Sequence, residues 1–305
     1  MLIVPEYAQC NDRTKKSNTG GSHQNIMDLF NDDSLSKDNL IGLSFDFFIN
    51  WKDNIVNGEI WIKRTVKSVE ILNDIFENIG NEIKKIDSNQ YISKMISFAK
   101  SNNFILKYKI IPEVPCNEWV EYDSGQQSEV ECIIDFEIEP NVHKKKQKLK
   151  ELREKIKILS GGPMTVRKGL KYGGSTLECY LAKTDTPWPG DADILLYNTN
   201  KHTQLTLVEL KKHTLVDKIE LHTCEHYFNG RDKTKYNRLI LLADYLKVPL
   251  LVLYYSTRKE HREIIIDKLE KDHQKKLGVK VVKRDSFKVP TKSSNSAMIK
   301  QILQF

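Results

Sequence analysis

Two short apolar runs, with charges gathered at one end of each, constrain this chain more than any other stretch. The first run is Ile194-Leu195-Leu196-Tyr197, entered through Trp188-Pro189-Gly190-Asp191-Ala192-Asp193. The second is Leu205-Thr206-Leu207-Val208, followed by Glu209-Leu210-Lys211-Lys212-His213. Between them Asn198-Thr199-Asn200-Lys201-His202 is turn chemistry, so the pair reads as a β-hairpin. Side chains alternate along a strand, which sets Asp191 and Asp193 on one face of the first strand, and Glu209, Lys211 and His213 on one face of the second. Runs that are apolar on both faces belong in a covered sheet. Three acids and a lysine therefore meet at the rim of a buried hairpin, where uncompensated charge is costly. A divalent cation is the natural compensation. Mg²⁺ takes oxygen ligands, with one or two carboxylates from the protein and the rest from water and phosphate.

This constellation resembles the PD-(D/E)XK nuclease superfamily, whose members set an Asp at the start of one strand and (Asp/Glu)-x-Lys on the next. Residue by residue, Asp193 matches the first acid, Glu209 the second and Lys211 the lysine. The chain departs from the motif at the proline before the first acid. Ala192 stands there, and Pro189-Gly190 lies earlier. The resemblance covers residues 151–256. It implies an α/β, restriction-endonuclease-like fold, with a mixed sheet flanked by helices. It also implies Mg²⁺-dependent hydrolysis of DNA to a 5′-phosphate and a 3′-hydroxyl, with Mn²⁺ as a substitute ion. In many members a further Glu from a preceding helix joins the metal site, and Glu178 is the candidate here. Restriction or phage-defence cleavage is the commonest setting for such stand-alone chains.

The same chemistry follows from the residues. Phosphodiester hydrolysis needs a nucleophilic water, charge relief on the phosphoryl oxygens and help for the leaving alkoxide. Asp193 and Glu209 supply carboxylates, and the backbone carbonyl of Leu210 is a further candidate ligand. Lys211, on the same face as Glu209, is a fixed cation beside the attacking water or phosphate. Asp191 either supports a second ion or hydrogen-bonds the turn. Glu-x-Lys alone carries no weight in a chain that is 29% charged, and Glu82-Ile83-Lys84 repeats it in a helix-like stretch without a leading Asp. The full succession of turn, Asp, apolar strand, turn, apolar strand and Glu-x-Lys carries the signal. Lys168 and Lys171, in a basic loop with Gly173 and Gly174, are candidate nucleic-acid contacts, as are His213, Lys235 and Arg238. A solvated surface is the plainer role for each.

The net charge of +7 suits a polyanionic partner, DNA first and RNA as the alternative. No signal peptide or membrane-length apolar run is visible, so an intracellular, cytoplasmic protein with no membrane partner is expected. The five scattered cysteines then read as reduced thiols. Two regions are expected: an α+β N-terminal region over 1–140, for recognition or regulation or as an elaboration of the core, and a nuclease domain over 141–305. In the first, 40–51 is a strongly apolar patch, 59–62 a strand, 66–86 and 88–102 helices, and 104–111, 118–122 and 129–139 strands. In the second, 140–159 leads into a basic helix. Residues 175–182 carry both a capping box and an alternating pattern, and the alternation favours a strand. Helices are expected over 213–229 and 234–246, a central strand over 249–255, a charged helix over 257–277, a strand over 279–282 and a closing helix over 296–303. No internal repeat is evident.

Three competitors remain. His222-Thr223-Cys224-Glu225-His226 has the H-x-x-E-H spacing of zinc metalloproteases, but the third ligand would have to come from an acid far downstream. A non-catalytic nucleic-acid-binding protein would keep the fold without the chemistry. A structure-specific DNA or RNA endonuclease would keep both and change the substrate. Cutting both strands of a duplex often requires a homodimer, and no dimer surface is legible.

Overall fold

A computed structural model describes residues 1–15, 30, 35–138, 143–164, 169–213, 216–225, 232–256, 258, 261–272, 278–288 and 295–305. The chain is α/β with mixed β-sheet, and it divides into two compact units. One comprises Met1–Ser17 with Phe45–Pro189, the other Asn18–Ser44 with Gly190–Phe305. Residues 141–189 thus go with the N-terminal unit. Among the described residues, no helix is long and apolar enough to cross a membrane.

The N-terminal unit starts from β1 (Ala8–Gln9), β2 (Leu40–Asn50, entering from the other unit) and β3 (Ile55–Val66). Helices α1 (Val69–Ile75), α2 (Ile79–Ile86) and α3 (Asn89–Ser101) follow, then β4 (Ile105–Pro112), α4 (Cys116–Ser124), β5 (Glu131–Glu137), β6 (His143–Lys148), α5 (Leu149–Leu159), β7 (Tyr172–Gly173) and α6 (Thr176–Leu181). Strands β2 to β6 pair in sequence order. β3 and β4 are parallel and the other pairs antiparallel. Serine hydroxyls at Ser68, Ser88 and Ser175 accept the backbone N–H three residues on and so start α1, α3 and α6. One core packs Phe48 and Trp61 of the sheet against Trp119 and Tyr122 of α4, Leu152 and Ile156 of α5, and Leu177 and Leu181 of α6.

Several expectations fail in this unit, each for a physical reason. Residues 118–122 are helical: Trp119 and Tyr122, three apart, turn one buried face to the core. The lysine run 143–148 is a strand, since β5 offers acids opposite, pairing Asp135 with Lys145 and Glu131 with Lys148, and the basic helix it leads into forms as expected over Leu149–Leu159. Residues 175–182 are helical, so the cap at Ser175 prevails over the alternation. Nor are all five cysteines reduced: Cys10 and Cys179 form a disulfide, while Cys116, Cys132 and Cys224 are free.

Lys109 on β4 is 1% exposed and lies 2.9 Å from Asp135 on β5. Burial pulls its ammonium down to about 8, against the pull of Asp135. Burial raises Asp135, but Lys109 and Lys107 hold it below the ordinary carboxylate value. Replacing a buried ion pair by apolar residues of similar volume is often neutral or stabilising, whereas removing one partner is costly. Asp135→Leu alone is expected to lower the unfolding free energy by about 3–5 kcal/mol by stranding Lys109. Joining it to Lys109→Met should recover that loss and add up to about 1–4 kcal/mol. Urea unfolding at pH 7 reads both.

The C-terminal unit contains the hairpin β8 (Gly190–Asn198) and β9 (Thr203–His213), a 3₁₀ turn (Ile219–His222) and α7 (Lys233–Leu246). It continues with β10 (Leu250–Ser256), β11 (Glu263–Lys271), β12 (Val279–Lys288) and α8 (Asn295–Leu303). β8 and β9 are antiparallel, as the sequence implied. β9 and β10 are parallel, and β11 and β12 continue antiparallel. On one face Ile194, Val208, Leu251, Leu253 and Ile266 pack with Met298, Ile299 and Ile302 of α8. The opposite face carries Glu209 and Lys211 and meets α7. Lys247, left-handed at φ 56°, caps α7, and Pro249 prevents its continuation.

Two helices expected here are replaced. Among the described residues of 213–229, His213 ends β9 and Ile219–His222 form the short 3₁₀ turn, while 214–215 and 226–229 lie outside the described residues. The charged stretch 257–277 contains strand β11, whose fully buried Asp267 is held by Arg284 of β12 at 2.6 Å. Asp267 and Glu270 of that stretch face Arg284 and Lys280 across the strand pair.

Candidate active site

The β8–β9 register sets the geometry. Ile194 faces Val208, so the next row outward brings Asp193 opposite Glu209. The backbone N–H of Leu210 donates to Asp193 Oδ2 at 2.8 Å, which fixes that carboxylate against β9. Glu209 is fully buried. Among the described residues, neither of its oxygens has a well-aligned hydrogen-bond donor. Its nearest partners are two ammoniums: Lys235 Nζ lies 2.8 Å from Oε1 and Lys211 Nζ 3.7 Å from the same atom.

The surrounding groups come from α7. Asp232, at its N-cap position, accepts from Lys211 Nζ at 2.8 Å, and the Tyr236 ring lies 5.5 Å from that ammonium. Lys235, in the first turn, bridges Glu209 to Asp191 Oδ2 at 3.1 Å. Burial, and then the charge of Asp193, push the Glu209 carboxyl well above the ordinary carboxylate range, and Lys235 and Lys211 only partly oppose them. Burial pulls the Lys235 ammonium down, but Asp191, Glu209 and Asp193 outweigh it and hold it well above its usual value. The site therefore contains carboxylates crowded against one another and two lysines that offset them.

The donor set fits a hard cation. Glu209 presents buried carboxylate oxygens that accept no aligned hydrogen bond, and Asp193 and Asp191 supply further oxygen at the same rim. Among the described residues, no group of three or more His, Cys, Asp or Glu is already gathered around one point. Lys235 stands among the carboxylates.

The other residues singled out by sequence are distributed differently. Arg238 is buried one turn along α7 from Lys235, and burial lowers its guanidinium to about 10 despite Asp191. His213 is buried, with Nε2 2.7 Å from the Asp217 carbonyl oxygen and its ring 6.0 Å from that of His261. Neither is presented as a surface contact for a polyanion. Glu178 belongs to the N-terminal unit. It lies on α6, accepts from Gly174 N–H at 2.8 Å and ion-pairs with Lys63, which also holds Asp46 at 2.8 Å. Lys171, in the same unit, is exposed beside Tyr172. Lys168 lies outside the described residues, as do His226 and the side chain of His222. Of the H-x-x-E-H stretch, Glu225 binds Arg284 at 2.6 Å and accepts from the Thr223 hydroxyl.

Sequence reading missed Asp232 altogether. Its signal was available in part, since an Asp just before a helix is the ordinary N-cap residue. That its carboxylate turns instead to Lys211 is a tertiary fact. No protein-family model, curated protein or solved structure matched the chain, so its residues and geometry carry the functional argument.

Proposed function

We propose that this protein is a divalent-metal-dependent nuclease acting on DNA phosphodiesters, with its centre at the rim of the β8–β9 hairpin. The observation that carries the reading is Glu209: a fully buried carboxylate set opposite a second one, Asp193, with the Lys235 and Lys211 ammoniums beside it. Asp193 and Glu209 would hold Mg²⁺ or Mn²⁺, with Asp191 and the Leu210 carbonyl as further oxygen donors. The bound ion would supply Lewis-acid charge relief and a more acidic water.

The chain's own groups do the rest. The Leu210 N–H anchors one oxygen of Asp193 against β9. Lys211, steadied by Asp232 and the Tyr236 ring, keeps an ammonium beside the carboxylates to offset negative charge growing on a phosphoryl oxygen. The +7 net charge favours the polyanion's approach.

Incubation with supercoiled, linear and single-stranded DNA and with RNA, each with Mg²⁺, Mn²⁺ or EDTA, tests the proposal. Cleavage of DNA that stops in EDTA is expected, and Asp193→Ala or Lys211→Ala should slow it about 10²–10³-fold. Cleavage that survives both substitutions would end the assignment. Cleavage confined to RNA would move the substrate class while keeping the centre. Metal-independent DNA binding without cleavage would favour a non-catalytic nucleic-acid-binding protein.

A further inference from the structure

The two units carry one strand plan, although no repeat is evident in the sequence. In each, an antiparallel hairpin leads through helix to a strand parallel with the hairpin's second strand, and two antiparallel strands follow. β2 to β6 and β8 to β12 match in order and sense.

The correspondence extends to detail. β2 ends at Asn50 and β8 at Asn198. Each asparagine Oδ1 accepts the N–H two residues on, from Lys52 and Asn200, both at 3.0 Å. Each turn closes on a left-handed residue immediately before the next strand: Asn54 at φ 54° and His202 at φ 53°. The helices leading into the parallel strands, α3 and α7, both hand over through a left-handed residue, Asn103 at φ 57° and Lys247 at φ 56°.

This alignment identifies the counterparts of the site. Counting back from the matched asparagines, Phe45 stands where Asp193 stands. Phe45 also lies on the face met by the entering helix, as its ring is 5.2 Å from Phe98 of α3. The β2–β3 register, with Asp46 facing Trp61, sets Ile62 across from Phe45 in the place of Glu209. Two residues further, Arg64 stands for Lys211. Arg64 donates to Asp87 at 2.6 and 3.0 Å, just before α3, as Lys211 donates to Asp232 just before α7. The cation–acid pair is kept in both units, while the two metal-facing carboxylates are replaced by phenylalanine and isoleucine.

We propose that the N-terminal unit is a second, metal-free repeat of the cleavage unit, so that each chain carries one centre and nicks one strand of a duplex per encounter. Resting on the nuclease reading above, this deepens it to the product formed. Supercoiled plasmid in molar excess over protein, with Mn²⁺, should give nicked circles nearly free of linear product until most supercoils are consumed. Linear DNA formed together with the first nicked circles would overturn the inference. Calorimetric titration with Mn²⁺ gives a readout independent of activity: wild-type protein should bind, and Glu209→Gln should lose binding at least 100-fold. Undiminished binding in that variant would place a cation elsewhere in the chain and also overturn the inference. No cleavage of any substrate and no Mn²⁺ binding by wild type would instead remove the nuclease reading itself.

Discussion

Glu209→Gln is expected to give a protein that is more stable than wild type without metal and gains little stability from it. Glu209 is fully buried and faces the Asp193 charge, and burial first, then that charge, raises its pKa well above the ordinary range. A carboxyl that binds its proton more tightly in the folded state makes stability fall as pH rises, from the unfolded pKa of about 4.3 up through the folded value. The amide has no such slope. The two proteins should therefore be close in stability at pH 4. At pH 7 the variant should be ahead by about 1–3 kcal/mol, the scale of the desolvation cost that a buried polar group carries and that Lys235 and Lys211 only partly offset. Lys235 keeps Asp191 as a partner in the variant. Mn²⁺ reverses the order. At a hundredfold excess over the wild-type dissociation constant a bound ion stabilises the wild type by about 2.7 kcal/mol, and the variant, binding at least 100-fold more weakly, by at most about 0.4 kcal/mol. Urea unfolding of both proteins at pH 4 and 7, with and without Mn²⁺, reads these differences. An equal Mn²⁺ shift in both proteins would remove Glu209 from the cation site, and a variant weaker at pH 7 would make the carboxylate a net structural asset.

The hairpin could be read from sequence because its information is local. Ile194 to Leu196 and Leu205 to Val208 are too apolar for an exposed ribbon, and Asn198 to His202 can only turn. Once that is granted, alternation along the strands sets Asp193, Glu209 and Lys211 together. What remained hidden depends on partners distant in sequence. β11 looked like a charged helix because its Asp267 is compensated by Arg284, and nothing in the stretch itself reveals that bond. The lysines of β6 join a sheet because acids of β5 stand opposite. At 175–182 two local signals conflicted, and the Ser175 cap decided in favour of helix. The repeat escaped for a related reason. Its turns and pairings are kept, but Phe45 and Ile62 share no chemistry with Asp193 and Glu209, so only the register exposes the correspondence.

Lys235→Met should tighten divalent-cation binding at least tenfold. The Lys235 ammonium lies 2.8 Å from Glu209 and 3.1 Å from Asp191, among the oxygens that the cation would take. It remains charged at neutral pH, because those carboxylates and Asp193 overcome the effect of burial. At an effective dielectric of about 20, one such contact near 3 Å has a gross attraction of roughly 5 kcal/mol. Only about 1.4 kcal/mol of net competition is needed for a tenfold change in affinity. Methionine keeps most of the apolar stem and removes the competing charge. Without metal the variant should be less stable than wild type, since Glu209 loses its nearest counter-charge. With metal the deficit should close. Lys211→Met supplies the contrast. Its ammonium sits 3.7 Å from Glu209 and is held by Asp232, so its loss should depress cleavage with little gain in cation affinity. Calorimetric titration with Mn²⁺, paired with cleavage rates at saturating ion, separates the two lysines. Unchanged affinity in Lys235→Met, with cleavage lost at every ion concentration, would make Lys235 a group acting on the substrate instead of a counter-ion displaced by the metal.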